Sequence, residues 1–277
     1  MNPAAVYPVP TTSAGAIYVL LALLTVGLPI YVLVFRPIRD ERTWGLAEIV
    51  AMAVLFILAL PLAAQWLGVG HEFSLLELSV AAVVQNLLLA GLSAYVVITR
   101  YRLPATSLGL RAPGWRGLLA VGGVAAAVAV VLGTAGERVA VYLIGLVTGP
   151  QQAALMAARE HLDDPLLPVL GTLAGVLPVT WLLVLLCVVV PIGEEIFFRG
   201  FVYGGLRVRW GAPLALLASS TFFAAVHLQI VHGFPIFLLG VVFAVAYHRT
   251  GSLVPAIVAH GVNNLIAVLS LWQGWGM

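Results

Sequence analysis

Six polar residues in the last third of the chain have the types and spacing for acid–base chemistry on a carbonyl group. They are Glu194, Glu195 and Arg199, then His227, then His260 and Asn264. Carboxylates and imidazoles move protons, and an imidazole or a carboxamide can donate to a developing oxyanion. All of them interrupt apolar sequence, where an ionisable side chain costs several kcal/mol unless it has a partner or a task. In Gly193-Glu194-Glu195-Ile196-Phe197-Phe198-Arg199-Gly200 the nearest turn signal is Pro191, so the carboxylates are expected on a helix kinked just before them. Glu195 and Arg199 are four apart with the acid N-terminal, the favourable order for an intrahelical ion pair, whereas Glu194 points about 100° away around the helix. Glu195 and Arg199 therefore read as structural support, and Glu194 as the acid left for chemistry. Taken singly, either His227 or His260 would read as a histidine satisfied by a backbone carbonyl; with Glu194 they read as a site.

Three helices must position these groups. A turn near Trp210 and Gly211 places Glu194 about 25 Å back along one helix and His227 about 25 Å forward along the next. From a second turn near Thr250 and Gly251, His260 and Asn264 lie about 14 and 20 Å into the last helix, on one face. The three helices can converge on one polar pocket.

The remaining sequence is a membrane scaffold for them. Of 277 residues 62% are apolar and 9% charged, and the mean hydropathy is +1.10, outside the range of soluble domains. Apolar runs at 16–35, 46–67, 75–99, 117–135 with an extension to 147, 168–190, 213–228, 234–247 and 253–272 predict an all-α polytopic protein of about eight transmembrane helices. With the N-terminus outside, eleven of the thirteen basic residues, all Arg, fall at cytoplasmic ends, leaving Arg138 and Arg159 outside. Trp44, Trp66, Trp115, Trp210 and Trp272 fall at span ends, where indole rings sit at headgroup level. A net charge of +2 without basic patches gives no reason for a nucleic-acid partner, and one cysteine, Cys187, excludes a disulfide framework. Residues 1–14 lack a signal-peptide pattern and read as a short tail. Residues 151–164 read as an interfacial helix or a solvated loop, and Glu137 with Arg138 as the outer end of a span or a buried pair. His71, His161, His232 and His248 read as ordinary interfacial residues, and Gly200 with Gly204 as a close helix contact.

The strings Glu194-Glu195-xxx-Arg199, Phe223-Ala224-Ala225-Val226-His227 and His260-Gly261-Val262-Asn263-Asn264 resemble the three motifs of the CPBP intramembrane proteases, the CAAX prenyl endopeptidase and bacteriocin-processing family, also called Abi. The resemblance covers 168–277, the expected catalytic core, and leaves 1–167 as variable N-terminal helices and an outer loop. It implies peptide-bond hydrolysis of a membrane-tethered or lipidated substrate, CAAX-type processing among the options, with catalytic Glu194, His227, His260 and Asn264. Two mechanisms fit those residues. In one, Glu194 with His227 activates water while His260 and Asn264 bind the oxyanion. In the other, Glu194, His227 and His260 hold zinc, as the metalloprotease label common in the family suggests. Asn264 is a poor zinc ligand, which favours the metal-free version. Either places a water-accessible cavity open to the cytoplasm, in a cell membrane whose Arg, Ala and Gly bias suggests a prokaryote. An ion- or proton-coupled carrier, or an inactive scaffold or self-immunity protein, would also bury such residues. Oligomeric state is unconstrained.

Overall fold

The computed structural model describes residues 21, 23–38, 43–59, 74–164 and 166–273. The N-terminal tail, Trp66 and His71 lie outside them. Among the described residues every regular element is helical. Two short apolar helices come first, α1 (Leu23–Phe35) and α2 (Leu46–Leu58). They are followed by α3 (Leu75–Arg100) and α4 (Trp115–Thr148), α5 (Pro150–Leu162) and α6 (Leu166–Thr172). Val176–Ala225 is a 50-residue helical stretch, broken at Gly211, whose φ of 75° and ψ of 167° are open to glycine and strained for other residues. It divides into α7 (176–210) and α8 (212–225). α9 (Gly233–Thr250) and α10 (Val254–Gln273) complete the chain.

Among the described residues five stretches are long and apolar enough to cross a membrane, against the eight crossings expected of the whole sequence, with 176–225 counted as one. The runs at 16–35 and 46–67 are represented by the shorter α1 and α2. Residues 117–147 form one helix because Glu137 and Arg138 do not break helical geometry, so α4 spans 34 residues, about 51 Å. Of residues 151–164, those to Leu162 belong to the helix α5, whose Ala153 is fully buried.

The chain packs as two units, Met1–Arg39 with Leu46–Val69, and Asp40–Gly45 with Gly70–Met277. In the second, Ala125, Ala126 and Ala129 of α4 meet Val242, Phe243 and Ala246 of α9 and Ala256 and Ala259 of α10. Small residues at these contacts let helices approach closely where hydrocarbon solvent offers no hydrophobic drive between them. The large apolar side chains on the same helices, Val124, Val131 and Val147 among them, stand exposed, as a lipid-facing surface requires. Gly109 and the 250–253 turn are stitched together: Leu253 N–H donates to the Gly109 carbonyl, and Arg111 Nε donates to the Gly251 carbonyl at 2.7 Å.

Trp44 departs from the headgroup position expected of it. It is 3% exposed, its Nε1 donates to the Phe201 carbonyl at 2.7 Å, and its ring stacks on Phe201 at 5.6 Å. The indole can enter because Gly204 and Gly205 lack side chains beneath it. The Phe201 carbonyl lies in the stretch Ile196–Tyr203 where α7 widens into π-type turns. Gly200 meanwhile abuts the Leu108 carbonyl, the close contact expected of the Gly200 and Gly204 face.

Candidate active site

α7 carries the acidic pair on a helix, as its apolar run implies. Helical dihedrals continue through Pro191 (Val189 at φ −65°, ψ −50°), and the turn before it, Leu185–Val189, is π-type. The wider turn absorbs the missing proline N–H that would otherwise break the ladder.

Glu195 is fully buried and Arg199 1% exposed; Arg199 Nη1 donates to Glu195 Oε1 at 2.8 Å. The guanidinium also donates to the Gly240 carbonyl of α9 at 3.3 Å and lies 4.4 Å from the Phe223 ring centroid and 5.2 Å from that of Phe243. A buried arginine needs such an enclosure, since its donors and its charge must be met without water. Oε1 of Glu195 accepts a second donor, His260 Nδ1, at 2.8 Å. The supporting pair is therefore a three-residue chain from α7 to α10, and it holds His260 with Nδ1 protonated and Nε2 turned away. That Nε2 lies 3.8 Å from Glu194 Oε2. His260 also stacks on Phe243, centroids 5.2 Å apart and planes at 19°.

The structure thus brings Glu194, Glu195, Arg199 and His260 together. His227 and Asn264 adjoin the group differently. His227 is exposed, in the turn 226–232 beyond the end of α8, its Nδ1 donating to the Phe223 carbonyl at 2.7 Å. Its ring is edge-on to Phe223 at 4.9 Å, and the same phenyl also neighbours His260, at 5.8 Å. Asn264 is half-buried and donates through Nδ2 to the Leu186 carbonyl of α7 at 2.9 Å, leaving its second amide hydrogen. Gly261 makes that approach possible, because a Cβ there would collide with the Cys187 carbonyl.

For zinc, the ligands named from sequence are not grouped: among the described residues no three His, Cys, Asp or Glu side chains are placed to hold a metal. His227 packs on Phe223 while Glu194 approaches His260.

Two features near the site had no signal in the sequence. Asn86 of α3 is 4% exposed and packs against Gly193, directly before the acidic pair. His232 is not an ordinary interfacial residue: its Nδ1 lies 2.9 Å from Glu160 Oε2 and its Nε2 3.8 Å from Glu137 Oε1. Neither could be read in advance, because α3 is far from residue 193 along the chain, α4 and α5 are far from residue 232, and none of the three carries a motif.

The comparisons bear on one part of the molecule. A protein named UPF0177 protein YbdI, from Lactococcus lactis subsp. lactis (strain IL1403), is 29% identical over 94 residues, which are 34% of this chain and 50% of that protein. The chain thus spans about half the length of this curated relative. No solved structure matches. Over residues 176–266, which hold Glu194, Glu195, Arg199, His227, His260 and Asn264, the chain matches the family described as Type II CAAX prenyl endopeptidase Rce1-like, in agreement with the resemblance its three motifs carry.

Proposed function

We propose that this protein is an intramembrane endopeptidase that hydrolyses a peptide bond in a membrane-tethered or lipidated substrate, with Glu194 as the base. The observation that carries the reading is the chain Arg199–Glu195–His260–Glu194. A buried carboxylate fixed by arginine orients an imidazole, and the imidazole turns its free nitrogen to a second, partly exposed carboxylate. Nucleophile-activating centres use this logic of a base oriented by a third group. The 3.8 Å between His260 Nε2 and Glu194 Oε2 is too long for a direct hydrogen bond, and a slight parting of the two acceptors lets one water donate to both.

Glu194 takes a proton from that water as its oxygen attacks the scissile carbonyl carbon. Asn264 donates its remaining amide hydrogen to the resulting oxyanion. Collapse breaks the C–N bond, and Glu194 returns the proton to the leaving nitrogen. His260 and His227 each have Nδ1 engaged as a donor, so their Nε2 atoms are suited to accept a hydrogen bond from the attacking water and orient it, rather than to donate to an oxyanion. The reading needs no metal. CAAX-type processing is the substrate class suggested by the family matched over 176–266, and the arginine distribution favours a cavity open to the cytoplasmic side of a prokaryotic cell membrane. The test is cleavage of a membrane-tethered peptide by the purified protein. Glu194→Ala and His260→Ala are expected to abolish turnover while the protein remains folded; unchanged cleavage by Glu194→Ala ends the peptidase reading.

A further inference from the structure

The turn that carries His227 is built from strained and weakly held backbone. Leu228 has a φ of 55°, a left-handed conformation that costs a residue with a Cβ about 1 kcal/mol or more. Leu228 and Ile230 are 84% and 70% exposed, and of the turn's side chains only that of Val231 is buried. His227 itself is tied only at Nδ1, to its own helix.

Beside the buried Val231 side chain, one carboxylate from α5 secures the turn. Glu160 Oε1 accepts the N–H of Ile230 at 2.7 Å and of Val231 at 2.9 Å. Its Oε2 accepts the N–H of His232 at 3.1 Å and lies 2.9 Å from His232 Nδ1. His232, the residue before α9, also reaches Glu137 of α4. The length of α4 explains how Glu160 arrives there. Gly136 packs on Pro235 at the start of α9, so α4 runs past the turn by about 11 residues, roughly 16 Å. α5 then folds back along it, with Gly145 against Pro150 and Ala153, and ten residues of helix return Glu160 to the level of Glu137. Arg138 and His161 are the other charged or titratable neighbours on these two helices.

We propose that Glu160 is a positioning residue for His227: it clamps the turn 226–232 from outside the segment that carries the motifs, and so fixes where the His227 imidazole stands relative to Glu194 and His260. The catalytic consequence rests on the peptidase reading; the clamp does not. Three backbone donors and one imidazole on a single carboxylate exceed what helix capping needs, and they fix the far end, 230–232, of the turn that begins with the one site residue outside a helix.

The experiment compares wild type, Glu160→Ala and Glu160→Gln of the full chain in lipid nanodiscs by two measurements. Hydrogen exchange of residues 226–232 reads the clamp without reference to activity. Steady-state cleavage of a membrane-tethered peptide reads its consequence. Glu160→Ala is expected to speed exchange of Ile230, Val231 and His232 by about tenfold or more, and to lower kcat by about tenfold or more with KM within about twofold, since misplacement of about 1 Å is enough for such a loss. Glu160→Gln, which keeps an acceptor oxygen, is expected to fall between the two in both measurements, and it decides the matter should the alanine variant not fold. Exchange unchanged in the variants, or faster exchange with unchanged kcat, overturns the proposal. A wild type that cleaves no peptide but exchanges faster on loss of Glu160 overturns the peptidase reading and leaves the clamp standing.

Discussion

His260 donates through Nδ1 to Glu195 at 2.8 Å, across 65 residues of sequence. The same carboxylate oxygen accepts Arg199, so the orientation of the histidine depends on an ion pair one helix away. A buried pair contributes less through its own attraction than through what happens when half of it is removed. Arg199→Met leaves Glu195 charged and uncompensated, and Glu195→Gln leaves Arg199 so. Each is expected to cost about 3–5 kcal/mol, and the double variant less than the two losses combined. Denaturant unfolding of the purified protein measures this; strictly additive losses would show that the pair is not coupled.

Gly261→Ala tests the approach of α10 to α7. The new Cβ meets the Cys187 carbonyl, which is backbone and cannot swing aside. The two helices must separate, at a cost of about 1–3 kcal/mol, and His260 and Asn264 move with α10. A lower melting temperature together with a fall in kcat is expected. Activity equal to wild type would mean that the spacing of α7 and α10 is not critical.

The clamp has a pH window. His232 is held above its ordinary value, with the Glu137 contact as the largest cause, aided by Glu160 and opposed by burial. Glu160 is held below its ordinary value: burial raises it, but the N–H donors of Val231, His232 and Ile230 outweigh that. A raised histidine stabilises fully below about pH 6.5, its unfolded value, and that contribution is lost as pH rises through the higher folded value. A depressed carboxylate stabilises above about pH 4.3, and that is lost as pH falls through the lower folded value. Melting temperature is therefore expected to be highest in mildly acidic buffer and to decline on both sides, with the alkaline decline blunted in His232→Ala. The same alkaline slope in both proteins would remove His232 as its source.

Chelation separates the two hydrolytic mechanisms. With Glu194 as base, protein treated with a strong chelator and shown to be metal-free by elemental analysis keeps its cleavage rate. Loss of activity that zinc restores would replace this mechanism with the metal-bound one.

Much of the site was legible in sequence because an apolar background makes each polar residue conspicuous. The Glu195 and Arg199 pair followed from i,i+4 spacing and is present at 2.8 Å, and the break between α7 and α8 falls at Gly211, where the turn was placed. The partnership around Glu194 was not legible. Helical rise put His227 level with it, yet the histidine facing Glu194 is His260. Depth along a helix fixes no rotation about its axis, and His227 lies beyond the helix end.

By itself, then, the sequence determined that the chain is helical and apolar enough for membrane, which residues are costly to bury, and which pairs share a helix face. These are local properties of spacing and solvent preference. Tertiary structure alone decided that Glu195 is shared by Arg199 and His260, that Trp44 is buried over Gly204 and Gly205, and that Glu160 reaches the turn bearing His227. Each of these joins residues from segments far apart along the chain, and their meeting is set by how far α4 overruns its neighbours and how closely glycine lets backbones approach.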